Sequence, residues 1–172
     1  MNVPNLLTLF RIVLIPVYLY IFFLPGSYHT HIAFGILVLA GLTDIVDGYI
    51  ARKYKLVTSF GTMMDPLADK LMMMAVIFSL LFTERISVWA ALFFFARDLG
   101  MIVVSAFFHF RGKKTVPANV FGKITTVLFY ITFPLLMFEV PYAEPLLWLV
   151  IAFSFVTSAV YVIKFRLLNR ML

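Results

Sequence analysis

Apolar runs of about 20 residues, the length that carries an α-helix across a bilayer, recur six times along the chain. Each is bounded by proline, glycine or charge. They place helices at roughly 5–24, 31–52, 63–82, 86–110, 119–138 and 145–165. In a chain of 172 residues, six such spans leave only roughly 50 residues for ends and connections. No separate soluble domain fits, so any function sits within the helix bundle or at its faces. The expectation is an all-α fold: a polytopic integral membrane helical bundle with six transmembrane helices, forming a single domain over 1–172. Short connections make sequential helices antiparallel neighbours.

Composition supports this reading, with 63% hydrophobic and 13% charged residues and a mean hydropathy of +1.04. A soluble domain is nearer 25% charged, so a soluble globular domain, a disordered tail and a nucleic-acid module are all excluded. The net charge of +6 reports orientation first, because Lys and Arg accumulate in cytoplasmic loops. Ten of the 14 bases fall on the side that holds the 52–62 loop, the 111–123 loop and the C-terminal end, and only Arg85 lies in a loop on the other side. Both termini are therefore expected in the cytoplasm. The opening MNVPNLL lacks the basic start of a signal peptide, and the first run reads as a retained span. With no cysteine, disulfides and thiolate metal sites are excluded. The aromatic residues, 17% of the chain, are expected mostly at lipid-facing or interfacial positions, and Met72, Met73 and Met74 as packing filler. His29 and His31 flank an external loop without acids nearby in sequence and are not read as a metal site.

The acids are distributed very differently. Of eight in total, four fall within one 26-residue stretch, Asp44, Asp47, Asp65 and Asp69. A carboxylate near the bilayer core costs on the order of 2.5–3.5 kcal/mol, which makes an intramembrane acid a functional candidate by default. Four together repel unless cations neutralise them. Asp44 and Asp47 are three apart and Asp65 and Asp69 four apart, so each pair projects from one helix face. The first pair ends the second span and the second begins the third, and a short loop folds the two faces toward each other at the cytoplasmic end. Hard oxygen ligands of this kind suit Mg²⁺ or Mn²⁺, and three or four carboxylates can hold two such ions.

The residues between fit phosphate handling. Gly48 and Gly61 each lie one turn from an acid, where a helical glycine costs about 1 kcal/mol against alanine and needs a reason. A missing side chain lets a flat or bulky group approach the backbone. Ala51 keeps that face open, and Arg52 can grip a phosphate bidentately. A purely structural reading would pair the acids with Arg52, Lys70 and Arg97 and use the glycines for helix packing. It does not account for four acids, two glycines and an arginine in this register.

The pattern Asp44-x-x-Asp47-Gly48-x-x-Ala51-Arg52, eight residues, Gly61-x-x-x-Asp65-x-x-x-Asp69 resembles the signature of the CDP-alcohol phosphotransferases at all eight of its defining positions. The resemblance implies a core of six membrane helices, cleavage of a CDP-linked donor at its pyrophosphate, transfer of the substituted phosphoryl group to an acceptor hydroxyl, and release of CMP. It assigns Asp44, Asp47, Asp65 and Asp69 to two divalent cations, Mg²⁺ or Mn²⁺, with Asp44 also at the donor site. Asp69 becomes the general base, Gly48 and Gly61 make room for the cytidine, and Arg52 holds the donor's phosphates. Pro4-Asn5-Leu6-Leu7-Thr8-Leu9-Phe10-Arg11 resembles the family's Asn-x-Leu-Thr-x-x-Arg opening, which implies that Asn5 and Thr8 line the nucleotide site. Asn5, Thr8 and Arg11 are spaced by three, so they share a helical face at the same end as the acids. The resemblance also implies a homodimer.

The opening is similar to that of the bacterial phosphatidylglycerophosphate synthases within this family, which implies CDP-diacylglycerol as donor, glycerol 3-phosphate as acceptor and a bacterial inner membrane. Arg97-Asp98 stands where those synthases usually carry Arg-Glu, and Gly122-Lys123-Ile124-Thr125-Thr126 lacks a second lysine. Both segments also resemble the cardiolipin synthases of the superfamily, whose acceptor is phosphatidylglycerol. A phosphorylated acceptor requires cations, for which Lys70, Arg97 and Lys123 are candidates beside the Arg111, Lys113, Lys114 cluster. Arg97 lies deep in its span, where pairing with an acid is the alternative, and the cluster could instead meet anionic lipid. From other classes, a transporter could use the acids as an ion or proton relay but leaves the glycines and Arg52 unexplained. A scaffold protein has no need of the acids.

Overall fold

The computed structural model describes residues 2–56, 58–110 and 120–170; the side chains of Arg52, Ser59, Phe60, Thr62, Met63, Ile102, Val120, 104–110 and 165–170 lie outside that description. The described residues form six helices and no strand: α1 (Val3–Phe22), α2 (His29–Lys53), α3 (Ser59–Phe82), α4 (Val88–Phe110), α5 (Val120–Met137) and α6 (Ala143–Arg170). Each expected span becomes one helix. The ends differ where polar chemistry, which hydropathy does not register, decides them. Helix α3 begins four residues before its apolar run because the Thr58 hydroxyl accepts the Gly61 N–H at 3.0 Å, an N-terminal cap. Helix α6 continues past its apolar stretch to Arg170. By length and composition, three helices among the described residues are apolar enough to cross a membrane, at Val3–Phe22, His29–Ala51 and Ala143–Lys164.

The helices group into two compact units, α1–α3 and α4–α6. In the first, α1 packs on both α2 and α3. Its buried residues, Pro4, Thr8, Arg11, Leu14, Tyr18 and Phe22, recur every three or four positions and form one stripe. That stripe is polar toward the N-terminus and apolar beyond Leu14. On α2 the small residues Ala33 and Ala40 are buried together with Leu37 and Asp47, and on α3 Ala68, Met72, Val76 and Ser79 are buried; Asp47 and Ser79 bond to α1 directly. Small residues let membrane helices approach closely where lipid offers no hydrophobic drive to associate. The Tyr18 hydroxyl, fully buried, hydrogen-bonds Ser79 at 2.8 Å. The opposite face of α1 exposes Val3, Leu6, Phe10, Val13 and Val17, a large apolar surface suited to lipid. His29 Nδ1 binds the Phe22 carbonyl at 2.8 Å, which ties down the α1–α2 turn.

The second unit is built on aromatic rings. Phe94 of α4 meets Phe129 of α5 edge-on, with centroids 5.1 Å apart, and Phe129 stacks on Phe133. All three are buried. Aromatic residues were expected mainly at the lipid boundary, where Trp89, Tyr142 and Phe155 do lie exposed. Core and lipid are equally apolar, so hydropathy alone does not separate the two groups. Arg85 braces the α5–α6 connection, donating to the Met137 carbonyl at 2.6 Å and pairing with Glu139 at 3.1 Å.

Candidate active site

The polar half of the α1 stripe determines where the acids of α2 and α3 go. Pro4 stands in the first turn of α1, where its missing N–H costs nothing. Asn5, Thr8 and Arg11 follow at three-residue intervals. Arg11, 1% exposed, reaches two carboxylates of α2: its Nη2 donates to Asp47 Oδ2 at 2.5 Å, and its Nη1 is ion-paired with Asp44 Oδ1 at 2.5 Å. The second contact lacks hydrogen-bond alignment, and the buried Nε has no hydrogen-bond partner among the described residues. Thr8 Oγ1 lies 2.6 Å from Asp65 Oδ1 on α3 and 3.1 Å from the Pro4 carbonyl. The shorter contact, to a charged acceptor, is the stronger.

A second chain of bonds fixes the start of α3. The Gly61 N–H donates to Thr58 Oγ1, and the Thr58 hydroxyl donates to Asn5 Oδ1 at 2.8 Å. Gly61 is buried, and a β-carbon there would lie 3.1 Å from Asn5 Oδ1 and 3.2 Å from Thr58 Oγ1. This glycine therefore permits a close approach between the beginnings of α1 and α3.

Asn5, Thr8, Asp44, Asp47, Gly61 and Asp65 are thus assembled within the first unit by direct contacts. Asp44 and Asp65 are both close enough to Asp47 for their charges to act on it, as is Arg11. Asp69 follows Asp65 by one helical turn and is half-buried, as are Lys70 and Gly48. The Arg52 side chain and residues 111–119, which hold Arg111, Lys113 and Lys114, lie outside the described residues. The other two acceptor candidates belong to the second unit. There Arg97 Nη1 pairs with the buried Asp98 at 2.6 Å and its Nε donates to Ser158 at 3.1 Å; Lys123 is exposed near the start of α5.

The donor set has the chemistry of a divalent-cation site. One guanidinium contacts two carboxylates, a hydroxyl contacts a third, a fourth acid follows one turn away, and hard oxygens are what Mg²⁺ and Mn²⁺ take. Among Asp44, Asp47, Asp65 and Arg11 the acids outnumber the base, an excess that a divalent cation would offset. Among the described residues, no three acids converge into a complete coordinating group. Sequence reasoning missed Arg11 as the partner of Asp44 and Asp47. Its signal was present: it extends the Asn5, Thr8 spacing, and an intramembrane arginine requires an acid.

The sequence profile of the CDP-alcohol phosphatidyltransferase family matches residues 1–156. The chain belongs to this family. The match runs from α1 into α6 and so includes both units. A CDP-diacylglycerol–glycerol-3-phosphate 3-phosphatidyltransferase of Rickettsia felis is 42% identical over 129 residues, covering 74% of this chain and 70% of its own. One of the same name from Bacillus subtilis is 33% identical over 183 residues, covering 95% and 94%. A probable phosphatidylglycerophosphate synthase of Mycobacterium tuberculosis is 33% identical over 148 residues, covering 84% and 69%. Family and apolar helices together make this an integral membrane protein.

Proposed function

We propose that the chain transfers a phosphatidyl group from CDP-diacylglycerol to the hydroxyl of glycerol 3-phosphate, releasing CMP and forming phosphatidylglycerophosphate for phospholipid synthesis. The observation that carries this reading is the meeting of Asp44, Asp47 and Asp65 on one stripe of α1, in a chain 33% identical over nearly its whole length to a relative bearing that enzyme's name. Membership of the family supports dependence on divalent metal, and we take the cations to be two, Mg²⁺ or Mn²⁺.

Asp44, Asp47, Asp65 and Asp69 would hold these ions, which supply charge neutralisation to the donor's pyrophosphate. Arg52 grips the donor phosphates, and Asn5, Thr8, Asp44, Gly48 and Gly61 border the nucleotide. Asp69 takes the proton of the acceptor hydroxyl. That oxygen attacks the phosphorus bearing the diacylglycerol, and the bond to the CMP oxygen breaks. Lys70, Arg97 and Lys123 counter the acceptor's phosphate. The whole chain acts as one membrane domain of six spans and works as a homodimer in the bacterial inner membrane, with both termini and the site facing the cytoplasm.

The test supplies purified protein with CDP-diacylglycerol and a panel of acceptors, and identifies the lipid product by mass spectrometry. Phosphatidylglycerophosphate formed from glycerol 3-phosphate, with CMP release lost in EDTA and regained with Mg²⁺ or Mn²⁺, is the expected result. Conversion of phosphatidylglycerol to cardiolipin, without use of glycerol 3-phosphate, would overturn the acceptor. CMP release unaffected by EDTA would overturn the metal assignment. Absence of CMP release with every acceptor would favour the ion-relay reading.

A further inference from the structure

Arg11 takes no part in the transfer just described, yet it is the side chain around which the acids gather. Its planar fork spans two carboxylates one helical turn apart, taking one oxygen of Asp44 and one of Asp47, a geometry that a guanidinium supplies and an ammonium does not. Thr8, one turn earlier, takes one oxygen of Asp65. Helix α1 therefore holds a single oxygen of each of three acids on two other helices.

Two features argue against Arg11 being a mere counter-ion that an arriving cation displaces. It is 1% exposed, whereas the Asp44 side chain is 45% exposed, so the cluster opens on the side of the acid and not of the arginine. The opposite face of α1 carries exposed Leu6, Phe10 and Val13, so swinging outward would move the charge toward apolar surroundings, which is costly in a membrane. The Nε group, moreover, is buried without a hydrogen-bond partner among the described residues. A side chain placed for its own satisfaction would not leave that donor unpaired; this one is held by the Nη2 hydrogen bond to Asp47 and the ion pair of Nη1 with Asp44.

We infer that Arg11 is a positioning residue of the acidic site: it locks the orientation of Asp44 and Asp47 and offsets part of their charge, so that a divalent cation meets a carboxylate pair already in place. The inference rests on the proposed reading of these acids as metal ligands. Partners that orient ligands from behind are worth about 10- to 100-fold in metal affinity.

The experiment measures Mn²⁺ binding to purified protein in lipid nanodiscs, by loss of the free-ion electron paramagnetic resonance signal, for wild type, Arg11→Lys and Arg11→Met. Lysine keeps the charge but lacks the rigid planar fork that fixes the two acids relative to each other. Arg11→Lys is expected to bind Mn²⁺ about 10- to 100-fold more weakly and to give a broadened bound-ion spectrum, with its thermal midpoint in EDTA close to wild type. Arg11→Met is expected to bind at least as weakly. Should the methionine variant fail to fold, because it strands two acids, Arg11→Lys alone decides. Binding by Arg11→Lys within about twofold of wild type would overturn the inference and leave the metal reading intact. Tighter binding by Arg11→Met would also overturn it, making Arg11 a competitor. If wild type binds no Mn²⁺, the metal reading and the inference fall together.

Discussion

Both units of the molecule set an arginine against acid, and they do so in opposite ways. In the α4–α6 unit, Arg97 and Asp98 are neighbours in sequence, one cation to one anion, with Ser158 supplying a further contact to the guanidinium. In the α1–α3 unit one arginine serves two acids on another helix, and a hydroxyl serves a third. The first arrangement matches one acid with the base beside it in sequence. The second sets three acids, Asp44, Asp47 and Asp65, against a single described guanidinium. An intramembrane acid without a dedicated counter-charge is a functional candidate. The contrast is between an acid matched by its neighbour in sequence and acids held from another helix, the arrangement from which the proposed metal site is read.

That contrast can be broken most directly at Asp69. Asp69→Asn should lower kcat about 100- to 10,000-fold and weaken Mn²⁺ binding, because Asp69 stands among the proposed metal ligands as well as being the base, while the thermal midpoint changes little by comparison; retention of CMP release would remove the base assignment. The opposite profile is expected at Asp98. Asp98→Asn leaves the Arg97 charge without its partner and should cost about 3 kcal/mol of stability, seen as a lower thermal midpoint. The double variant Arg97→Met, Asp98→Asn should recover part of that loss and raise KM for glycerol 3-phosphate. If KM is unchanged in the double variant, Arg97 has a structural role alone.

Smaller effects sharpen the comparison further. Thr8→Val keeps shape but removes the hydroxyl that Asp65 accepts from, which should cost about 1.5–3 kcal/mol and raise the Mn²⁺ concentration needed for half-maximal rate. A loss of stability without that metal effect would place Thr8 with the structural contacts. Gly61→Ala should be nearly neutral for stability, because a gain of about 1 kcal/mol in helix propensity opposes the 3.1 Å approach to Asn5. Its signature is a several-fold fall in activity as the Thr58–Asn5 bond is pushed apart, measured with the lipid-product assay.

Much of this was legible in the residues. Six apolar runs became six helices, and the spacing of Asp44 with Asp47 and of Asp65 with Asp69 marked one acidic face on each of two helices. Those faces were expected to meet each other, whereas Asp44, Asp47 and Asp65 are held by α1. What stayed hidden follows from the solvent. In water, apolar periodicity tells inside from outside, but in lipid both sides are apolar, so nothing distinguished Phe94, Phe129 and Phe133, which are core, from Phe155, which is exposed. Partner choice was hidden too. Adjacent Arg97 and Asp98 could be matched from sequence, but the pairing of Arg11 with acids 33 and 36 positions away depends on how α1 packs. The cap that lengthens α3 rests on a hydroxyl that contributes almost nothing to hydropathy.

The buried stripe of α1 carries Thr8 and Arg11 at one end and Tyr18, bound to Ser79, at the other. Successive residues of a helix are about 100° apart, so the stripe works as a rotational key. Inserting one residue between Arg11 and Leu14 would leave Tyr18 seated but turn the first three turns away from the acids. Asn5, Thr8 and Arg11 would leave together, with Arg11 driven toward lipid. The placement of the acids is therefore geared to the turning angle of one helix: the locking torque comes from the apolar end, and the load is carried at the polar one.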